Sequence, residues 1–158
     1  MTPPPALIPF NQEWDEYLNN IYEHYLGDIV HNKLHYQGKP INARYNPETD
    51  GKGFSFWHVI SEGQFEEERL PDLRRCERIR WIRWAIVGAI ASDAAVLVYK
   101  NHRTTKRGTT VRTIFFVEEM SYVVILEERK DFFLLVSAYP VDERRAGKLK
   151  KEWADYHK

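Results

Sequence analysis

Apolar positions fall into two regimes along this chain. Two stretches of the first ninety residues show them at helical spacing, and from Ala94 onward they come in short dense blocks separated by polar turns. Trp14, Tyr17, Leu18, Ile21, Tyr22 and Tyr25 share one helical stripe, which predicts a helix to about Leu26 with Asn11 as its cap and Gly27 as its stop. Glu13, Asp15, Glu16 and Glu23 make its other faces acidic. A second stripe, Leu73, Ile79, Ile82, Ile86 and Ile90, predicts one long helix from Pro71 to about Ile90, with Arg74, Arg75, Arg78 and Arg80 on other faces. Between the two, Asp28–Tyr36 reads as a short strand. A turn-rich segment through Gly38, Pro40, Pro47, Gly51 and Gly53 follows, and Phe54–Ile60 reads as a short strand or extended entry.

The second half reads as a meander. Strands are expected over Ala94–Tyr99, Val111–Val117, Tyr122–Glu127 and Phe132–Tyr139, where Val, Ile, Phe and Tyr are dense. Pro140 ends the last one, and Asp142 is placed to cap a short helix from Glu143 to Tyr156. The predicted fold class is therefore α+β: N-terminal helices packed on a four- to five-stranded antiparallel sheet, with a short C-terminal helix. Residues 1–10 form an extended proline-rich lead, and residues 11–158 form a single domain.

Composition changes this picture only in places. A chain of 158 residues can bury a core without metal or disulfide help. Its 23 basic and 23 acidic residues exclude a general DNA-coating protein but leave room for a local nucleic-acid site. Charge is sorted instead of absent: KNHRTTKRGTTVR, from Lys100 to Arg112, carries five positives and no acid. Read as a flexible loop between strands, it is a candidate phosphate clamp, with ordinary solvated surface as the alternative. The single cysteine, Cys76, excludes an intrachain disulfide and a cysteine zinc cluster, and fits a reducing, cytoplasmic setting. The longest nearly apolar run, Ala85–Tyr99, is interrupted by Gly88, Ser92 and Asp93, so no membrane span is expected.

Absent motifs narrow the chemistry. There is no GxxxxGK[ST] loop, HExxH helix or GxSxG elbow, and the His31/His35 spacing is poor for a metal, so neither metal nor cofactor is expected. His58, in GKGFSFWHVISEG, is the candidate proton-transfer residue, with Glu62 four positions on to orient it or to act as its partner. The alternative is a hydrogen-bonded histidine at the edge of the core. Two basic groups are candidate phosphate or RNA ligands, the helix set with Arg74, Arg75, Arg78 and Arg80 and the stretch with Arg103, Lys106, Arg107 and Arg112, although helix arginines can equally pair with the acidic first helix. Ser137 and Tyr139, two apart on the last strand, project together, and Phe133 and Leu135 are expected on that side too. Trp57 or Trp81 could stack on a base.

At FSFWHVISEG, then RRCERIRWIRW, then YVVILEERKDFFLLVSAYPVDE, the chain resembles the barnase–EndoU–colicin–RelE-like superfamily of small nucleases, in its phage- and mobile-element-associated branches. That resemblance implies a metal-independent endoribonuclease working by general acid–base transesterification and leaving a cyclic 2′,3′-phosphate. It implies RNA as substrate and, for a toxin-like member, a protein inhibitor or immunity partner. Carried onto this chain, it gives proton transfer to His58 and phosphate binding to Arg103 or Arg112, with Arg78 as an alternative. Ser137 with Tyr139 would take the late hydroxyl role. The rival is a non-catalytic nucleic-acid- or protein-binding domain of the same fold. On the ribonuclease reading, replacing His58 by Ala is expected to abolish cleavage and leave the thermal transition nearly unchanged; on the rival it changes little.

Overall fold

Helical spacing at the N-terminus yields α1, Trp14–Tyr25, which buries Tyr17, Leu18, Ile21 and Tyr25 in a computed structural model describing residues 1–63 and 65–158. Gly27 does not stop it. The chain continues as a π-helical turn, Leu26–Val30, with His31 N–H donating to the Leu26 carbonyl at 2.8 Å, which carries Ile29 into the core. That turn consumes most of the strand expected over residues 28–36. What remains is β1, His35–Tyr36, paired with β2, Lys39–Asn42, around a tight turn in which Gln37 and Gly38 both take positive φ.

Two further expectations are corrected. Phe54–Ile60 is a helix, α2, and not a strand. Its buried residues Ser55, Phe56, Val59 and Ile60 follow helical spacing, and Ser55 pins the entry by accepting from Arg44 N–H through Oγ and donating its own N–H to the Arg44 carbonyl. After α2, Ser61–Glu62 (β3) pairs with Leu70–Pro71 (β4). The long helix expected from Pro71 to Ile90 is two helices, α3 (Leu73–Glu77) and α4 (Trp81–Ile90). Across the break the backbone bonds tighten to i→i−3, from Arg78 to Arg75, Ile79 to Cys76 and Trp81 to Arg78, and Ile8 of the lead donates to the freed Glu77 carbonyl at 3.0 Å. Ile79, Ile82 and Ile86 stay buried, while Leu73 and Ile90, the two ends of the expected stripe, are exposed.

The lead itself is fastened by its main chain. Trp84 and Trp81 donate their indole N–H groups to the carbonyls of Thr2 (3.0 Å) and Pro5 (2.7 Å), and Tyr17 donates its hydroxyl to Ile8 (2.8 Å).

Among the described residues the main sheet has six strands in the order β1-β2-β8-β7-β6-β5, where β5 is Val96–Thr105, β6 Gly108–Val117, β7 Tyr122–Glu128 and β8 Phe133–Pro140. It is mixed, not purely antiparallel, because β2 runs parallel to β8 through Ile41↔Phe133 and Asn42↔Leu134. The basic stretch expected as a loop is the distal half of a regular hairpin. Thr105 pairs with Gly108, and only Lys106 and Arg107 lie in the turn. Polar residues on both faces of that arm hide the strand alternation that marks β5 and β6 nearer the core.

The sheet carries helices on both faces. One face, with Phe115, Val117, Val124, Leu126, Phe133 and Leu135, packs into the core shared with α1, α2 and α4. The other, with Tyr99, Ile114, Phe116, Val123 and Ile125, is covered by α5, Glu143–Tyr156, through Ala146, Leu149 and Trp153. Asp142 caps α5 by accepting from Arg145 N–H at 2.8 Å. A β-bulge sits where Ile125 pairs with Ser137 but Leu126 pairs with Leu135, which leaves Val136 as the extra residue. The bulge changes the parity of β8: Phe133 and Leu135 face the helical core, while Ser137 and Tyr139 lie opposite Ile125 and Val123 on the α5 face. The expected common side for all four therefore does not exist. Among the described residues no helix is long and apolar enough to cross a membrane.

Candidate functional site

The hairpin registers bring charged residues together at the open end of the α5 face. Arg112 on β6 lies between Asn101 on β5 and Glu127 on β7. Its guanidinium is half-buried, and its Nε is buried with no hydrogen-bond partner. Burial, followed by the nearby Arg103 charge, holds its pKa below the usual arginine range, and Glu127 opposes that shift. Glu127 also meets Arg129 at 3.4 Å.

The bulge supplies the second component. It interrupts the ladder at Val136, whose carbonyl lies 2.8 Å from His58 Nδ1 on α2. A carbonyl can only accept, so Nδ1 carries the hydrogen. Phe54 flanks the imidazole at 5.7 Å between ring centroids, and Arg44 lies over the other ring system at 4.7 Å from the Phe54 centroid. These groups enclose a hollow of about 190 Å³ lined by Arg44, Phe54, His58, Arg112, Glu127 and Arg129, with part of β8 as its floor.

A second hollow of about 220 Å³ opens between α5 and the β5–β6 hairpin, lined by Tyr99, Arg103, Arg112, Arg145, Lys148 and Glu152 among others. Arg112 lines both. Arg112 therefore stands between the hollow at the imidazole and the one at α5.

The residues expected from sequence are distributed unevenly around these hollows. His58 and Arg112 share one hollow, and Arg103 lines the next. Tyr139 lines neither; its hydroxyl accepts from Arg145 at 3.2 Å and its ring carries the Arg75 guanidinium at 4.8 Å. Ser137 shares the face of Tyr139 but also lines neither hollow. Glu62 lies outside both: α2 ends at Ile60, so the four-residue spacing does not continue as a helix, and the Glu62 charge acts on Arg75. Trp57 spends its indole N–H on the Thr49 carbonyl at 2.9 Å and packs against Phe56. Arg78 lies over the Trp81 ring at 5.1 Å and donates to the Arg74 carbonyl, away from the hollows. Lys106 and Arg107 form the exposed hairpin tip.

Sequence reasoning missed Arg44, Glu127, Arg129, Arg145 and Lys148. For Glu127 a signal existed: the β6–β7 hairpin register places it beside Arg112 once the turn is located. Arg44 and the α5 residues carried no such signal, because tertiary packing alone brings them in.

No protein-family model, curated protein or solved structure matches this chain. The chemistry therefore rests on geometry. An imidazole and a carboxylate can move protons near neutral pH, and arginines around the same hollow can hold a phosphodiester and stabilise added charge on it.

Proposed function

We propose that the chain is an endoribonuclease that cleaves RNA by general acid–base transesterification without a metal, as its resemblance to the small-nuclease superfamily implies. The observation that carries this reading is that His58, Glu127 and Arg112 line a single hollow although they come from α2, β7 and β6. In this scheme a ribose 2′-hydroxyl attacks the adjacent phosphorus, one of the Glu127–His58 pair takes its proton, and the other protonates the departing 5′-oxygen. The products are a cyclic 2′,3′-phosphate and a 5′-hydroxyl. Arg112, already desolvated, offers its guanidinium to the non-bridging oxygens, where negative charge accumulates. Glu127 takes the role that the sequence pattern assigned to Glu62.

The test is incubation of the purified protein with mixed RNA in the presence of a chelator. Cleavage with cyclic-phosphate ends is expected, and His58→Asn or Glu127→Gln should each slow it by roughly 10²–10⁴-fold. No cleavage by the unaltered protein, or full activity in both variants, would refute the catalytic reading. The non-catalytic alternative draws support from the ties on both groups, His58 to the Val136 carbonyl and Glu127 to Arg129. It predicts RNA binding without product.

A further inference from the structure

We infer that the hollow between α5 and the β5–β6 hairpin is a second anion subsite, which holds a backbone phosphate flanking the one at His58. The inference deepens the ribonuclease reading and rests on it for the identity of the ligand as a single-stranded polynucleotide.

Four cations, Arg103, Arg112, Arg145 and Lys148, line this hollow against one acid, Glu152. That carboxylate already accepts from the Tyr99 hydroxyl at 2.7 Å. Among the described residues none of the four cations forms an ion pair. Among the described residues the Arg145 guanidinium donates to the Tyr139 hydroxyl, and Arg112 Nε is buried without a partner. Like charges gathered on the wall of one cleft repel one another, and an anion between them removes that cost.

The arrangement also has a direction. Arg145 and Lys148 are three apart on α5 and so share a helical face. Opposite them, Arg103 stands two residues along β5 from Asn101, the partner of Arg112, which is about 7 Å at the rise of an antiparallel strand. Arg112 lines both hollows, so the two are neighbours across its side chain. A mononucleotide would fill only one of them. A chain of nucleotides fills both, and this selects a polymer over a small phosphorylated metabolite.

The experiment uses a fluorescently labelled 2′-O-methyl RNA decamer, which lacks the attacking hydroxyl and cannot be cleaved. Its binding is followed by anisotropy across a salt series, for the unaltered protein, R145Q/K148Q, R103Q and K151Q. Lys151 is an exposed α5 residue outside the hollow, so K151Q is the control for loss of surface charge. Loss of two phosphate contacts should weaken decamer binding about tenfold or more near 0.1 M salt and reduce the log–log salt slope by roughly 1.4, at about 0.7 per contact on a single strand. R103Q, on a different element, should weaken binding in the same direction, and K151Q should match the unaltered protein. Circular dichroism verifies that each variant is folded. If R145Q/K148Q and R103Q bind like K151Q, or if the decamer does not bind the unaltered protein, the subsite is refuted. Because the probe cannot react, failure of catalysis leaves this result readable.

Discussion

Replacing His58 by Ala should cost stability as well as activity. The imidazole Nδ1–H donates to the Val136 carbonyl at 2.8 Å, and that carbonyl belongs to the bulge residue of β8. The net contribution of such a bond is roughly 0.5–1.5 kcal/mol, and a half-buried acceptor left without its donor adds a desolvation cost of about 1–3 kcal/mol when water does not replace it. Since Val136 is only half-buried, water recovers part of that cost, and about 2 kcal/mol is the expected total. For a chain of this length, that corresponds to a fall in Tm of roughly 4–8 °C. The expectation from sequence, an unperturbed melt, is therefore revised. His58→Asn separates the two roles, because its amide can donate near the position of Nδ1 but has no basic nitrogen. Thermal melts followed by circular dichroism should place Asn closer to the unaltered protein than Ala, while RNA cleavage fails in both. If Ala and Asn both melt within about 1 °C of the unaltered protein, His58 does not hold the bulge and the argument fails.

Two other consequences can be measured directly. Cys76 is fully buried, and burial pushes its thiol up to about 12, so a thiol-specific reagent should leave it unmodified in native buffer and label it only after unfolding; rapid native labelling would contradict this packing. Glu128 is held below the usual carboxylate range first by its hydrogen bond from Lys100 (3.1 Å) and also by Lys39 (3.4 Å). A depressed folded pKa gives stability that is complete above the unfolded value near 4.3 and is lost as pH falls through the folded one. Glu128→Gln should therefore destabilise by at most about 1 kcal/mol at neutral pH, this pair being partly exposed, and the difference should be smaller in acid than at neutral pH in denaturant titrations. An equal difference at both pH values would show that packing, not charge, is responsible.

The site owes its position to an irregularity and an unusual edge. β2 covers only the first part of the β8 edge, through Ile41 and Asn42, and α2 lies against the rest. A further strand there would have taken the ladder groups of β8. A helix instead brings a side-chain donor, His58, to the carbonyl of Val136, the bulge residue, on the part of the edge that β2 does not cover. Strand register then carries Arg112 and Glu127 to the same hollow.

Much of the architecture was legible one element at a time. The stripe from Trp14 to Tyr25, the dense β6 and β7 blocks and the Asp142 cap each record a local choice of buried face or helix start, although α1 starts after Glu13 without the expected Asn11 cap and β6 begins at Gly108, before the expected Val111. His58 and Arg112 were legible as residue types able to do chemistry. Tertiary structure decided what local periodicity cannot encode. A seven-residue apolar segment, Phe54–Ile60, suits either a strand or a helix until its neighbours choose, and the polar arm from Arg103 to Thr110 shows no buried face at all. The bulge at Val136 exists only in the pairing of β7 with β8, yet it turns Ser137 away from Leu135, and the bulge residue is the one whose carbonyl meets His58. Glu127 and Arg145 joined the basic surface for the same reason. Which charged groups meet depends on strand register and on the seating of α5, and both are set by contacts between segments far apart in the chain.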